Sequence, residues 1–419
     1  MDLKKELTGI AKNAKAAAGF LANLETSEKN SLLEEMARAL KNNKAKILKA
    51  NKKDIAASRS AKASGAFIDR LTLNEKRIDE MVSGLLDVAK LSDQIGTEIK
   101  SWQVPSGLQI HKVRVPLGVI AIIYESRPNV TSDCIGLTFK SGNSVILRGG
   151  SEALNSNIAI FETINEVIKK NNLPAGIVSI ITTKDRRAID VLLKLNDYID
   201  LVIPRGGEGL IKKIVSCSRI PVIKHHKGIC HVYVDDFADL NMAQNICFNA
   251  KVQRPGVCNA MESMLVHRDV AARFLPGILK KFKELGVEIR GCDLTWKIAK
   301  GGIKKAKDQD YRTEYSDLIL AVKVVDTFEE AISRINEYGS HHSDSIITDD
   351  KNNAKEFLKR VDSACVYVNA SNRFTDGYQF GMGAEIGIST DKLHARGPMG
   401  LEELTSYKYA VWGSGQVRE

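Results

Sequence analysis

The sequence is poor in aromatic residues, has no long apolar run and contains no paired cysteine motif. Phe, Trp and Tyr make up only 6% of the 419 residues, which is few for the base-stacking surfaces of nucleic-acid-binding proteins. No apolar run reaches the ~18 residues that a membrane-spanning helix needs. The seven cysteines are scattered and odd in number, so neither a disulfide framework nor a zinc site is predicted.

The overall composition is that of an ordinary globular protein with a surplus of positive charge. Lys and Arg number 61 against 51 Asp and Glu, a net charge of +10. Two interpretations follow: a nucleic-acid-binding protein, or a basic enzyme whose ligands are anions. The basic residues are spread thinly, which favours the enzyme. The first residues also lack the apolar core of a secretory signal, and we expect a cytoplasmic protein that binds neither nucleic acid nor membranes.

The hydrophobic pattern predicts an α/β protein with parallel sheets. Residues 1 to about 100 have the three- and four-residue apolar spacing of amphipathic helices. An alternating strand at 108–115 follows, and short apolar runs then alternate with helical segments up to about 216. Such alternation is typical of βαβ units. A second α/β region spans about 239–367, and the Gly-rich tail ends in a strand-like segment, 407–412, able to pair with another element or another chain.

Two glycine turns are candidates for phosphate binding. No G-x-G-x-x-G sequence follows the first buried strand, so the usual dinucleotide signature is absent. Instead, Arg148-Gly149-Gly150-Ser151 and Arg205-Gly206-Gly207-Glu208 each end a strand and begin a helix. Backbone N–H groups at a helix N-terminus can bind a phosphate, and an arginine can contact a ribose or its 2′-phosphate. Simple strand-to-helix turns explain the same residues, and both interpretations stay open.

Cys258 is the best candidate for a nucleophile. It lies in a polar loop with helix-breaking residues, and the positive charge of nearby Arg254 favours a thiolate. An inert loop cysteine remains the alternative. The pair His225-His226 does not predict a metal site, because adjacent residues on a strand point to opposite faces.

Several stretches resemble the aldehyde dehydrogenase superfamily. Pro116–Tyr124, Gly142–Arg148 and the Cys258 loop occur in its order and spacing. The stretches 124–132, 253–259 and 394–401 are similar to the branch that reduces L-glutamyl 5-phosphate with NADPH. The resemblance implies that the products are glutamate 5-semialdehyde, phosphate and NADP, in the second step of proline biosynthesis.

The resemblance also implies a fold and a domain arrangement. It predicts an aldehyde-dehydrogenase-like α/β fold with a Rossmann-type cofactor domain, an α/β catalytic domain and a small oligomerisation region. The cofactor domain would span 1–238, with a ribbon at about 104–118 contributing to a homo-oligomer. The catalytic domain would span 239–368, and a return segment and oligomerisation tail 369–419. A functional association with glutamate 5-kinase, which would supply the labile acyl phosphate, is a further expectation.

Roles for individual residues follow from the same resemblance. Cys258 matches the catalytic nucleophile and Asn129 the oxyanion-stabilising asparagine, although Arg127-Pro128 precedes Asn129 where relatives have Pro-Trp. The implied NADPH contacts are Arg148 at the adenosine ribose, Gly206, Gly207 and Glu208 near the pyrophosphate, and Glu314 at the nicotinamide ribose. Arg127, Arg254 and Lys224 are the expected contacts of the substrate phosphate or carboxylate, and no metal is expected.

One departure from the family pattern concerns hydrolysis. Hydrolytic members place a general-base Glu upstream of the cysteine, whereas Val222–Gly228 contains Lys and His and no carboxylate. A thioester on Cys258 would therefore lack an activated water. Two alternatives stay open: an acylating enzyme with a different acyl phosphate or thioester, and a catalytically silent member with a binding or structural role.

Overall fold

The computed structural model describes residues 2–224 and 227–418. The chain forms two compact units, each with its own parallel sheet. The first unit contains Met1–Lys224, Gly381–Gly387 and Met399–Glu419, and the second contains His225–Phe380 and Ile388–Pro398. Among the described residues, no helix is both long and apolar enough to cross a lipid bilayer.

The first unit begins with helices whose apolar stripes are buried, as the spacing predicts. In the second of them, Leu33, Met36 and Leu40 are fully buried, and the side chains of Asp2 and Asn74 cap the first and the fifth helices. The helices are α1 (Leu3–Leu21), α2 (Thr26–Asn42), α3 (Lys44–Ser60), α4 (Gly65–Leu71) and α5 (Glu75–Lys90).

A four-stranded parallel sheet follows the first two strands of a three-stranded antiparallel ribbon. These two strands are β1 (Glu98–Gln103) and β2 (Gln109–Pro116), and the third is β16 (Thr405–Trp412). The βα units are β3 (Val119–Tyr124), α6 (Asn129–Lys140), β4 (Ser144–Gly149), α7 (Leu154–Lys170), β5 (Val178–Ile180), α8 (Arg187–Leu192), β6 (Leu201–Arg205) and α9 (Glu208–Cys217). The strand order is β5-β4-β3-β6. Every residue of β3 and β4 is buried, because helices cover both faces of a parallel sheet.

The second unit is built on a seven-stranded sheet in which all strand pairs are parallel. Its strand order is β10-β9-β11-β8-β7-β12-β13. The elements are β7 (Cys230–Val234), α10 (Leu240–Val252), β8 (Met261–His267), α11 (Arg268–Glu284), β9 (Glu288–Gly291), α12 (Asp293–Ile298), β10 (Lys304–Lys305), β11 (Ile319–Val325), α13 (Phe328–Tyr338), β12 (Ser343–Ile347), α14 (Lys351–Arg360) and β13 (Cys365–Val368).

The division between the units lies earlier in the chain than the boundary predicted after residue 238. Strand β7 pairs with β8 and β12, so residues 230–234 belong to the sheet of the second unit. The last segment also divides: the short pair β14 (Ile388–Ser389) and β15 (Gly397–Pro398) lies in the second unit, whereas β16 (Thr405–Trp412) lies in the first. The strand-like tail pairs within the chain, since β16 is antiparallel to β2 from Thr405↔Pro116 to Trp412↔Gln109.

Candidate active site

The predicted phosphate turns meet at one edge of the first unit's sheet. Strand β3 lies between β4 and β6, and Tyr124 is in register with both Gly149 and Arg205. Because the strands are parallel, all three end at the same edge. The chain leaves β3 toward β4 on one side and returns at β6 on the other, and such a switch point is where open α/β sheets bind ligands.

Two glutamates tie these turns together. The Glu125 carboxylate accepts a hydrogen bond from the Gly207 N–H (2.9 Å). The Glu152 carboxylate accepts from the Ser126 N–H (2.8 Å) and hydroxyl (2.9 Å). A Cβ at Gly206 would lie 2.6 Å from the Glu125 carboxylate, which explains the glycine there. Neither glutamate is marked by a motif in the sequence; a carboxylate just after a buried strand was the available signal.

Arg148 has the surroundings expected of a ligand contact. Its side chain is 7% exposed, and one guanidinium nitrogen donates to the Gly149 carbonyl (3.0 Å). Burial lowers the pKa of the guanidinium. Its Nε is buried without an acceptor among residues 2–224 and 227–418. A buried donor of this kind requires an acceptor, which a ribose or phosphate oxygen of a bound nucleotide would provide.

The other predicted residues of the first unit surround the same strand ends or follow them. Gly207 precedes α9, and Glu208 is its first residue, paired with Lys212 (2.8 Å). Arg127 is exposed in the turn between β3 and α6. Lys224 is half-buried and lies just beyond the bridge between Val222 and Val202.

Asn129 is held by an aspartate one helical turn away. It is the first residue of α6, and its amide donates to the Asp133 carboxylate (3.0 Å). The Ser132 hydroxyl lies 3.4 Å from the same carboxylate. Burial raises the pKa of Asp133 to about 6, against the lowering effect of these hydrogen bonds and of the charge on Arg205. The Asp133 carboxyl therefore fixes which way the Asn129 amide points.

In the second unit, Cys258 lies in the turn between α10 and β8, at the amino end of the sheet. The side chain is partly exposed, as a reactive thiol requires. The backbone of Gly228 passes so close that a Cβ there would lie 2.0 Å from the Cys258 carbonyl oxygen. The same oxygen accepts a weak hydrogen bond from the Cys230 thiol (3.2 Å). Arg254 is exposed on the same turn.

A buried ion pair connects the Cys258 turn to the segment that carries Glu314. Lys251 and Glu262 are at most 1% exposed, with 2.7 Å between Nζ and Oε2. The second Glu262 oxygen accepts from the Ser316 N–H (3.0 Å). Burial raises the pKa of Glu262 to about 7, and the negative charge of Glu314 contributes. A Cβ at Gly256 would lie 3.6 Å from the Ser316 carbonyl oxygen, so the segment that carries Glu314 runs beside the turn that carries Arg254 and Cys258.

One group of possible metal ligands occurs among the described residues, and it lies apart from the predicted site residues in the sequence. Ligand atoms of Asp236, His267 and Asp269 lie within 4.8 Å of one another. The His267 Nδ1 already accepts from the Asp269 N–H (3.3 Å), so the imidazole has a structural role in capping α11. His225 and His226, discussed above as a metal pair, lie outside the described residues.

Asp133 makes the stability of the first unit depend on pH. The folded state holds a proton on Asp133 up to about pH 6, whereas an unfolded Asp releases it near pH 4. Folding therefore binds a proton in this interval, and the free energy of unfolding falls as the pH rises from about 4 to about 6. Relative to Asp133→Asn, we expect wild type to lose about 2 kcal/mol over this interval. Chemical denaturation across the pH range measures this, with the exposed Asp197→Asn as control. Parallel profiles for wild type and Asp133→Asn would contradict the assignment.

Gly228 is expected to be essential for the position of Cys258. Gly228→Ala forces two backbone segments apart, and we expect a loss of about 1–3 kcal/mol of stability together with a changed rate of Cys258 alkylation by iodoacetamide. Thermal unfolding and peptide mass spectrometry measure both. Gly256→Ala is the matched control, because its Cβ would lie at an ordinary 3.6 Å from the Ser316 oxygen. Equal effects of the two substitutions would contradict the close approach.

Known proteins of one family are similar to this chain over nearly its whole length. The model of the aldehyde dehydrogenase family matches residues 3–310 and 305–409. The gamma-glutamyl phosphate reductases of Thermodesulfovibrio yellowstonii and Clostridium acetobutylicum are 55% and 56% identical over 419 residues, covering all of both chains.

Solved structures share the fold. The crystal structure of gamma-glutamyl phosphate reductase from Thermotoga maritima has a TM-score of 0.97 at 48% identity, covering 99% of this chain and all of the other. Glyceraldehyde-3-phosphate dehydrogenase from Methanocaldococcus jannaschii, solved with NADP, has a TM-score of 0.68 at 18% identity, over 98% and 95% of the two chains. The predicted resemblance and the α/β fold are confirmed: the chain belongs to the aldehyde dehydrogenase family.

Proposed function

We propose that the chain reduces L-glutamyl 5-phosphate to L-glutamate 5-semialdehyde and phosphate with NADPH, the second step of proline biosynthesis. The observation that carries the proposal is full-length identity above one half with proteins named gamma-glutamyl phosphate reductase. The turn that holds Cys258 against Gly228 supports a fixed nucleophile. An acyl phosphate is already activated, so a thiolate can displace its phosphate without prior protonation of the leaving group.

In the proposed mechanism, Cys258 carries the glutamyl group as a thioester. The sulfur attacks the acyl carbon, and negative charge collects on the carbonyl oxygen, where Asn129 and the Cys258 backbone N–H are the proposed donors. The carbonyl then re-forms as phosphate leaves with the electrons of its bond to carbon. Each such donor is worth about 3–4 kcal/mol in the transition state. The hydrogen bond from Asn129 to Asp133 (3.0 Å) supports this role, because it fixes the orientation of the amide.

The first unit is the proposed binding region for most of the cofactor. Arg148 would contact the adenosine ribose or its phosphate, and Gly206, Gly207 and Glu208 would lie near the pyrophosphate. We assign Glu314 to the nicotinamide ribose. Two features support a dinucleotide site. The buried Nε of Arg148 has no acceptor among the described residues, and hydrogen bonds join the turns that follow the strands. When bound, the reduced nicotinamide supplies the hydride that converts the thioester to the aldehyde level.

The proposed thioester is protected from hydrolysis because the segment 222–228 of the same chain contains no general base. Val222–Gly228 offers Lys224 and Lys227 and no carboxylate that could act as a general base. Arg127, Arg254 and Lys224 are the proposed contacts of the substrate's anionic groups. Attack by phosphate, rather than by water, would then reverse the reaction.

Cys258→Ala tests covalent catalysis. We expect turnover to fall by more than about 100-fold, since no other nucleophile replaces the sulfur, while NADPH affinity is retained. The assay follows NADP reduction with glutamate semialdehyde, with and without phosphate, and NADPH binding is measured by fluorescence. The exposed Cys217 gives the control variant Cys217→Ala, which should remain active.

Three outcomes of this assay contradict the proposal. Residual Cys258→Ala activity of about one hundredth or more contradicts covalent catalysis. Wild-type turnover that requires coenzyme A instead of phosphate indicates another acylating enzyme. A total lack of turnover, with Cys258 unreactive to iodoacetamide, indicates a catalytically silent member of the family.

We propose that a second copy of the chain covers the ribbon β1-β2-β16. Strand β16 is an edge strand, and its Tyr409 and Trp412 side chains are 55% and 69% exposed. The Trp102 and Tyr409 rings pack edge to face, with 6.1 Å between centroids. An exposed aromatic edge strand is prone to pair with another chain, which favours a homo-oligomer.

Tyr409→Glu combined with Trp412→Glu tests this surface. We expect a smaller molar mass in light scattering after gel filtration, because two charges oppose burial of the strand. Leu358→Glu, at a side chain 50% exposed on α14, is the control. An unchanged mass of the double variant, or a monomeric wild type, would disprove the proposal.

Two further proposals concern the cellular setting. We propose a cytoplasmic location, supported by seven cysteines that are all free thiols. We also propose a functional association with glutamate 5-kinase, because a reactive acyl phosphate is best consumed close to where it is made.

A further inference from the structure

Arg373 is fixed to both sides of the Cys258 turn. Its Nε donates to the Gln253 side-chain oxygen (2.8 Å). The Asn259 amide donates to the Thr375 carbonyl (2.8 Å) and lies 3.5 Å from the Arg373 carbonyl. Gln253 and Asn259 precede and follow Cys258 along the turn. The segment that carries Arg373 is therefore attached to the nucleophile's own loop.

The same segment is anchored on the sheet beneath it. After β13 the chain reverses along β12: the Asn369 N–H donates to the Ile346 carbonyl (2.9 Å). The buried Asn372 amide then donates to the carbonyls of Ser343 (3.0 Å) and His231 (3.1 Å). Arg373 thus projects from a rigid 3-10 turn, Asn372–Phe374, and its guanidinium is positioned in advance of any ligand.

Among the residues that the structure describes, neither Arg373 nor Arg254 forms an ion pair. Within residues 2–224 and 227–418, no carboxylate oxygen lies within 4.0 Å of either guanidinium, whereas Arg290 pairs with both Glu288 and Asp310 (2.7 Å each). Burial lowers the pKa of Arg373 and the positive charge of Arg254 lowers it further, whereas the Cys258 sulfur and the negative charge of Asp376 oppose this. Because Arg373 is hydrogen-bonded to Gln253, the residue before Arg254, both cations lie on the Cys258 turn, and an anion is a suitable partner for both.

We propose that Arg373, together with Arg254, binds the phosphate of the acyl phosphate beside Cys258. The inference rests on the proposed function and adds a residue that sequence analysis did not identify. The phosphate is bonded to the carbon that the sulfur attacks, whereas the substrate's α-carboxylate lies at the opposite end of the glutamyl chain. Arginines attached to the Cys258 turn are therefore suited to the phosphate.

The two guanidinium groups act on the leaving group. In the reducing direction, the bond from Sγ to the acyl carbon forms, the bond from that carbon to the phosphate oxygen breaks, and phosphate takes the electron pair. The arginines neutralise the charge that appears on it. In the reverse direction they hold inorganic phosphate while its oxygen attacks the thioester and the thiolate leaves.

The test measures the reverse reaction with glutamate semialdehyde, NADP and inorganic phosphate. For Arg373→Gln we expect the KM for phosphate to rise about 30-fold or more, because a charged hydrogen-bonding partner is lost. The KM for the semialdehyde should change less than about threefold, and Arg373→Lys should recover part of the phosphate affinity. Arg273→Gln, an exposed arginine of α11 with the same charge change, is the control.

A binding readout independent of turnover accompanies the kinetics. Inorganic phosphate should slow the alkylation of Cys258 in wild type and in Arg273→Gln, and do so far less in Arg373→Gln. A raised KM for the semialdehyde with unchanged phosphate dependence would assign Arg373 to the carboxylate and overturn the proposal. A wild type whose turnover does not need phosphate would instead refute the proposed function itself, so the two failures are distinguishable.

Discussion

Parallel strand pairing is the constraint on which both candidate regions depend. In the first unit it brings the ends of β3, β4 and β6 to one edge, where Glu125 and Glu152 join the turns. In the second unit it aligns the starts of β7 and β8, so that Gly228, before β7, meets Cys258, before β8. In the first unit the candidate site residues lie at the carboxyl ends of the strands. In the second unit they lie at the amino ends. One kind of pairing thus positions both the candidate cofactor region and the candidate nucleophile.

The polar groups near Cys258 are held by partners that come from distant parts of the sequence. Glu262 binds Lys251 and the Ser316 N–H, and Arg373 binds Gln253. A buried pair such as Lys251 and Glu262 costs desolvation energy, which only good geometry and further hydrogen bonds offset. Such groups are tolerated where a fixed arrangement of charge is needed, as binding of the proposed acyl phosphate would require.

The elements predicted correctly from the sequence are those whose spacing of apolar residues follows from which side chains are buried. The apolar run 119–124 became β3, which is buried on both faces, and the alternating segment 108–115 became β2. Strand β1 was missed because all of its residues are exposed and carry no pattern. Strand β7 was missed because it is short and contains a histidine, and the predicted boundary therefore fell beyond it.

The candidate site was predictable only where a local motif exists. The Cys258 loop and the two glycine turns have recognisable sequences, and Asn129 and Glu314 came from resemblance. Asp133, Gly228 and Arg373 contact residues of these motifs, but no motif marks the three themselves. Their contacts are a hydrogen bond across one helical turn, a close backbone approach, and a hydrogen bond from the segment that turns back along β12. Such contacts arise from tertiary packing, and spacing along the chain does not reveal them.

The division of the first unit into three chain segments has a kinetic consequence. Its last strand, β16, pairs with β2 across almost 300 residues of sequence, from Thr405↔Pro116 to Trp412↔Gln109. During synthesis on the ribosome, β2 remains an open edge until β16 emerges, while most of the second unit can already fold. Contacts of such long range form slowly. The unpaired edge of β2 is therefore exposed to aggregation for as long as β16 has not been made.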